Sequence, residues 1–371
     1  MPTRLEMRGA TLGGMIAIAS CRGAAPTAGD AQPNVEVAAP AVSAETPKPA
    51  VVTSAVDLAP ARKHAASITA QSLRRSVEAL AADNRGGRPT PSPELDAAAA
   101  WIVQQHQRIG LTAPAGAAGH LQRFDCAGRG GAESSNVIGV LQGSDAVLAK
   151  QNVVVSAHYD HLGTRDGGAQ GHGLDDPSDS IFNGANDDAS GVAASLAIAE
   201  ALAALSPRPR RSVVFIAFCG EELGLRGSKH WVDHPLVPLA DTIAVVNLEM
   251  LGRPEPAHRQ RVWVTGMDRS TMGTRMGVAA RELGVLVVDG SAAGEFEGKL
   301  FRKSDNWPFA ERKVVAHSFS TGVIDDHYHS VQDEVDTLDF EGMALLVQAI
   351  ALGTYQLAQA DDVPSWTESD P

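Results

Sequence analysis

Histidines and carboxylates gather at a few places in this chain, each beside an apolar run. His158-Tyr159-Asp160-His161 follows the run 153–157. Glu221-Glu222 follows Ser212–Phe218 after Cys219-Gly220, and Glu249 follows Thr242–Leu248. The segment 183–191, with Asp187 and Asp188, opens a helical stretch, and Asp326-His327-Tyr328-His329-Ser330-Val331-Gln332-Asp333 lies near the C-terminus. Imidazole and carboxylate together are what zinc and similar divalent cations take when thiolates are absent.

Each piece alone has an ordinary explanation. A His-x-Asp pair is commonly a surface or capping detail. Adjacent glutamates after a strand suit a helix N-terminus, where negative charge is favoured by the helix dipole. Asp187 and Asp188 could serve as plain N-terminal helix residues. Glu249 is harder to dismiss, because a carboxylate after an apolar strand is poorly placed in a core unless it is paired. The specific signal is the ordered set.

The elements that must position these groups alternate along the chain. Ile68, Leu73, Val77 and Leu80 have helical spacing, and Asp83-Asn84-Arg85-Gly86-Gly87 stops that helix. Pro93–Ile109 reads as a second helix ended by Gly110. Strand-like runs follow at 136–141, 153–157, 212–218, 242–248, 262–265, 285–288 and 314–319, with helical stretches at 190–205, 223–233, 269–283 and 340–358. Several strands are apolar on both parities, as expected when both faces are covered. The expected fold is a three-layer α/β/α sandwich around a central mixed, largely parallel sheet. In such sheets chemistry gathers at the carboxyl ends of strands.

Six ordered pieces closely resemble the co-catalytic dizinc aminopeptidases of peptidase clan MH, family twenty-eight. They are the stretches 157–163 and 184–191, Gly220-Glu221-Glu222-Leu223-Gly224 with Gly227-Ser228, Asn247-Leu248-Glu249-Met250, Ser304-Asp305-Asn306-Trp307-Pro308-Phe309, and Tyr328-His329 with Asp333. The resemblance covers about residues 64–360 and implies a zinc-exopeptidase fold with two Zn2+ per chain. It places His158 on one metal, His329 on the other and Asp187 between them. It puts Glu222 with the metal of His158 and Glu249 with that of His329. Asp160 matches the carboxylate that orients the first histidine, and Glu221 matches the general base. Two zinc ions bring four positive charges against the three carboxylates Asp187, Glu222 and Glu249, and a bridging hydroxide would balance the site. Glu221 is then surplus as a ligand and free to move protons.

The sequence departs from the family pattern at three positions. Glu249 stands where Asp is usual, Asn186 replaces a common Asp, and Asn306 replaces a His, which would alter the pocket rim. Tyr328 matches a tyrosine that in some relatives stabilises the tetrahedral oxyanion, or else it is a packing aromatic. Met250 lines the pocket for the first side chain, or is a plain core methionine. The implied reaction is hydrolysis of the N-terminal bond of peptides with a free N-terminus. The alternatives are a carboxypeptidase or glutaminyl cyclase-like activity on the same fold, or a non-catalytic binding domain.

Composition sets outer limits. The chain has 371 residues, is 44% apolar and 20% charged, and carries a net charge of −13 with a pI near 5.3. So acidic a protein is a poor nucleic-acid binder, and three cysteines are too few for a disulfide scaffold. Cys126 and Cys219 are read as separate thiols rather than a pair. Residues 163–180 hold Asp166, His172, Asp175, Asp176 and Asp179 and read as a solvated loop beside the site rather than a calcium site.

Arg4 and Arg8 followed by a short apolar stretch read as a signal peptide over residues 1–20. Ile18-Ala19-Ser20-Cys21 resembles a bacterial lipobox, which implies lipidation at Cys21 and membrane contact through a lipid anchor only. Arg22 is not the aspartate that retains such proteins at the inner membrane. The expected address is therefore the outer membrane, facing the periplasm or cell surface; otherwise the protein is secreted. Residues 21–60 are Ala- and Pro-rich and read as a flexible tether, leaving 61–371 as the peptidase domain.

Overall fold

Valine and isoleucine crowd a helix at χ1 but fit a pleated sheet covered on both sides. The centre of this protein is built from such runs. The computed structural model describes residues 55–128, 130, 131, 133–290, 299–322 and 324–367; Cys21, the signal segment and nearly all of the tether lie outside them. The strands are β1 (Leu121–Phe124), β2 (Ser134–Leu141), β3 (Asn152–His158), the short β4 (Gly163–Thr164) and β5 (Ile181–Phe182), β6 (Ser212–Phe218), β7 (Thr242–Leu248), β8 (Arg261–Val264), β9 (Leu286–Asp289) and β10 (Ala316–Ser320). The main sheet has the order β1-β2-β6-β3-β7-β10-β8-β9. Strands β6, β3, β7 and β10 run parallel at its centre, as do β8 and β9. Strands β1 and β2 are antiparallel to their neighbours, and β10 meets β8 antiparallel.

The helices cover both faces: α1 (Ala59–Ala65), α2 (Ala70–Ala81), α3 (Pro93–Ile109), α4 (Gly191–Ala203), α5 (Arg226–Asp233), α6 (Met272–Ala280), α7 (Asn306–Glu311) and α8 (Phe340–Gln359). Alternate residues of each strand enter opposite cores. Val153, Val155, Ala157, Val213 and Phe215 join the layer of α1–α4, α6 and α8. Val154, Val214, Ile216 and Phe218 pack with Trp231 of α5 and Phe309 of α7. Each fully buried side chain of this kind stabilises by about 1.5–3 kcal/mol. The expected three-layer sandwich is what forms.

Local chemistry sets the helix ends. Thr69 and Ser72 form a reciprocal capping box on α2. Ser92 caps α3, which has Pro93 in its first turn and ends at left-handed Gly110. Five elements were not anticipated, among them the two-residue strands β4 and β5. Strand β1 is four residues of mixed polarity at the sheet edge, α1 is only seven residues, and α7 carries Pro308, whose missing N–H costs little in a first turn. Among the described residues no helix is long and apolar enough to cross a membrane.

Candidate metal centre

The parallel trio β6, β3 and β7 is the device that assembles the site. His158 pairs with Phe218 and Ser156 with Asn247 in register, so the three carboxyl ends lie side by side. His158 therefore sits between Glu221-Glu222 on one side and Glu249 on the other. An irregular turn, Ala185–Ser190, precedes α4 and brings Asp187 and Asp188 to the same end. The segment after β10 brings His329.

Asp187 is the hub of the arrangement. Its Oδ1 lies 3.1 Å from His158 Nε2, and its Oδ2 lies 3.3 Å from His329 Nε2. Glu249 Oε1 is 3.4 Å from His158 Nε2, and Glu222 Oε2 is 3.2 Å from His329 Nε2. The five side chains named from the sequence thus converge, but the carboxylates pair the other way. Glu249 goes with His158, because β3 and β7 are direct neighbours, and Glu222 reaches across to His329. The Asp187–Asp188 peptide bond is cis.

The donors fit bound cations. The Nε2 atoms of His158 and His329, which face these carboxylates, are buried and make no hydrogen bond, which is costly unless another partner satisfies them. The Nδ1–H of His158 donates to the Asp160 carbonyl at 3.2 Å, leaving the Nε2 lone pair toward Asp187 and Glu249. Burial disfavours charge here, yet His158 and His329 hold the Asp187 carboxyl well below its usual range. Glu222 is likewise held to about 2, its burial and the nearby Asp187 outweighed by His161 and His329.

A ring of buried carboxylates fixes the ligand loops. Asp188 accepts N–H groups of His158 (3.3 Å), Gly191 (3.0 Å) and Met250 (3.1 Å), tying β3, α4 and β7 together. Asp333 accepts from Asn186 and Asp187, both at 3.0 Å, and pairs with Arg253 at 2.6 Å. Asp160 accepts the N–H of Glu221 at 3.1 Å and of Glu222 at 3.4 Å. Its carboxylate is 3.7 Å from His158 Nδ1, so its closest grip is on the glutamate turn. Arg88, fully buried, donates to the carbonyls of Tyr159, Leu80, Asn183 and Gly184 at 2.7–3.0 Å.

Glu221 joins none of the histidine pairs. It lines a cavity with Asp187, Glu249, Met250, Trp263, Leu300 and Tyr328. Burial, with Glu222 and Glu249 nearby, pushes its carboxyl well above the usual range. Tyr328 stacks on His329 with centroids 3.9 Å apart, and burial raises its hydroxyl pKa. Met250, at φ 50°, is buried and also lines the cavity.

Two further expectations need correction. Asn306 does not lie on the rim. It is fully buried, donating to the Phe301 carbonyl at 2.9 Å and accepting from Ser318 at 2.8 Å. Cys126 and Cys219 form a disulfide, with Cα atoms 6.6 Å apart. Cys219 is buried at the end of β6, and the loop after β1 brings Cys126 to it, a neighbour invisible while β1 went unrecognised.

In the loop 163–180 three of the four aspartates have protein partners. Asp175 pairs with Arg165, while Asp176 and Asp179 accept from Ser178 and Ile181 N–H groups. It packs on the His329 segment through His172 N to His329 O, 2.9 Å, and Leu174 N to Asp326 O, 2.7 Å. Sequence reasoning gave no role to His161, Asp333 or Ser304. His161 Nδ1 is 2.9 Å from Glu222 Oε1, and the Ser304 hydroxyl donates to Glu249. The signal for His161 was its place beside His158 in one motif; the other two touch the site only through long-range folding.

The profile of peptidase family M28 matches residues 136–352. Aminopeptidase YwaD of Bacillus subtilis (strain 168) is 25% identical over 238 residues, covering 62% of this chain and 46% of that protein. A probable zinc metalloprotease of Pyricularia oryzae is 28% identical over 247 residues, covering 58% and 45%. The chain spans about half the length of these curated relatives. Among solved structures, the LapA aminopeptidase of Legionella pneumophila superposes with a TM-score of 0.62 at 18% identity, covering 84% of this chain and 78% of that one. BSAP, a zinc aminopeptidase from Bacillus subtilis, gives 0.60 at 17%, covering 79% and 95%. At these identities the structural likeness speaks for the fold.

Proposed function

The chain belongs to peptidase family M28, and on that premise we propose that it is a zinc-dependent aminopeptidase with two Zn2+ per chain. His158, Asp187 and Glu249 would hold one zinc, and Asp187, Glu222 and His329 the other. The observation that carries the reading is the divided carboxylate of Asp187 between two histidine–glutamate pairs, with Glu221 beside them in the cavity and joined to neither.

When bound, the zinc ions polarise the scissile carbonyl and make the attacking water more acidic. The chain's own groups do the rest. Glu221 takes the proton of the water as its oxygen bonds to the carbonyl carbon, and delivers it to the amine nitrogen as the C–N bond breaks. Asp160 holds Glu221 and Glu222 in place through their backbone N–H groups. The Tyr328 hydroxyl donates to the developing oxyanion. Met250, Trp263 and Leu300 give the first side chain an apolar wall, and the free α-amine docks near the acids. Zinc analysis together with an aminoacyl-nitroanilide panel tests this; protein that turns over such substrates after rigorous zinc removal contradicts it.

A second reading, a carboxypeptidase, has one observation in its favour. Lys229, Lys299, Arg302 and Lys303 line the cavity beside Glu221 and Glu222, where a terminal carboxylate would find cations. Peptides blocked at one end or the other separate the two.

For the N-terminus we propose cleavage after residue 20, lipidation of Cys21, a tether that ends before Val56 and Leu58 pack on the core and α1 begins at Ala59, and the peptidase domain from there on, facing the periplasm or cell surface from the outer membrane. Arg4, Arg8, the short apolar stretch and Ile18-Ala19-Ser20-Cys21 support it.

A further inference from the structure

We propose that His161 is a fourth protein ligand of the zinc held by Asp187, Glu222 and His329, so that protein closes this position while the one at His158, Asp187 and Glu249 keeps a side open to substrate. The inference rests on the two-zinc reading above and goes beyond its five ligands.

His161 Nδ1 lies 2.9 Å from Glu222 Oε1 and 3.9 Å from Asp187 Oδ2. His329 Nε2 meets the same two carboxylates from another direction, at 3.2 and 3.3 Å. Four atoms bound tetrahedrally at about 2.0–2.1 Å from zinc stand roughly 3.3–3.4 Å from one another. The observed separations bracket that value. The imidazole planes of His161 and His329 are inclined at 73°, with centroids 5.7 Å apart, so the rings approach the acids from different sides.

The His161 ring is fixed in advance. Its side chain has no solvent exposure. Gly184 is left-handed at φ +59°, and a Cβ there would fall 2.6 Å from His161 Cγ and 2.3 Å from the Asp187 carbonyl oxygen. Only glycine lets the ring lie against the loop that carries Asp187. The backbone N–H of His161 is held by the Arg88 carbonyl at 3.1 Å. A desolvated imidazole whose Nδ1 is aimed at two carboxylates is a poor surface or capping residue and a good ligand.

Closed four-ligand zinc sites are of the structural type, whereas catalytic sites keep an open position. The two zinc ions are therefore inequivalent, the one at His161 filling first and leaving last. Zinc X-ray absorption on the fully loaded wild-type protein reads the imidazoles directly: three shared by two metals are expected, and two would overturn the proposal. Calorimetric zinc titration of metal-free wild type and His161→Gln supplies the second arm. Two unequal steps are expected for wild type, with the tighter one weakened by at least 10-fold in the variant and its circular dichroism unchanged. Equal affinities in both proteins reject the role of His161 while leaving the two-zinc reading intact. Wild type that binds fewer than two zinc ions rejects both. If the variant fails to fold, the imidazole count from absorption on wild type decides alone.

Discussion

Asp333 accepts the backbone N–H of Asp187 at 3.0 Å, so a carboxylate 146 residues further along the chain fixes the residue that stands between His158 and His329. It also holds Asn186 and is itself fully buried against Arg253. Asp333→Ala leaves two buried N–H groups and the Arg253 cation short of a partner, at about 1–3 kcal/mol for each stranded group. Zinc retention against a competing chelator should fall about 10–100-fold, the usual cost of losing support behind a ligand. Unchanged retention would show that the loop keeps its position without Asp333.

The Cys126–Cys219 disulfide closes a loop of 93 residues and sits directly before Gly220-Glu221-Glu222. The double variant Cys126→Ala, Cys219→Ala should lose roughly 2–4 kcal/mol of stability, read as a lower Tm or an earlier urea midpoint. Reduction of the wild type should reproduce it. A Tm equal to that of the oxidised wild type would mean that the bond contributes nothing.

Burial holds His317 neutral in the folded protein, with its pKa lowered to about 4. Its Nδ1–H donates to the Thr265 carbonyl and the Ser270 hydroxyl donates to Nε2, both at 2.7 Å. The unfolded chain binds a proton near pH 6.5 that the folded chain refuses until pH 4. The penalty is therefore absent above pH 6.5, grows as pH falls through this window, and reaches about 3 kcal/mol. His317→Gln should flatten unfolding free energy against pH between 6.5 and 4 by up to one proton relative to wild type. Parallel curves would contradict a neutral His317. His106, lowered to about 3 by burial, acts in the same direction in both proteins.

The anchor is tested by fractionation. If the proposed lipid on Cys21 anchors the protein, Cys21→Ser should release it from membranes. Identical membrane fractions of variant and wild type would reject the lipobox.

Much of the fold was legible because its signals are local. Ser212–Phe218 and Thr242–Leu248 are largely apolar, β-branched runs, and both strands formed within those bounds. Pro93–Ile109 announced itself by Ser92, Pro93 and Gly110. The site was legible as a set of residues because each stands at a strand end or a helix start. The partnering of His158 with Glu249 was not, since it follows from the β6-β3-β7 neighbour order, which no single segment encodes. Asp333 and Ser304 stood in the quoted motifs, but what they hold was not legible, for the same reason. They reach the site through contacts of 146 and 55 residues in sequence separation.

The central claim is that Glu221 and Glu222, adjacent in sequence, divide the work between proton transfer and metal binding. Zinc content and nitroanilide turnover should be measured side by side for Glu221→Gln and Glu222→Gln. Glu222→Gln removes a charged ligand beside His329, so zinc and activity should fall together. Glu221→Gln should keep both zinc ions and lose about 10²–10⁴-fold in kcat with little change in KM. A Glu221→Gln protein with near wild-type kcat, or one that sheds zinc as readily as Glu222→Gln, would contradict the assignment.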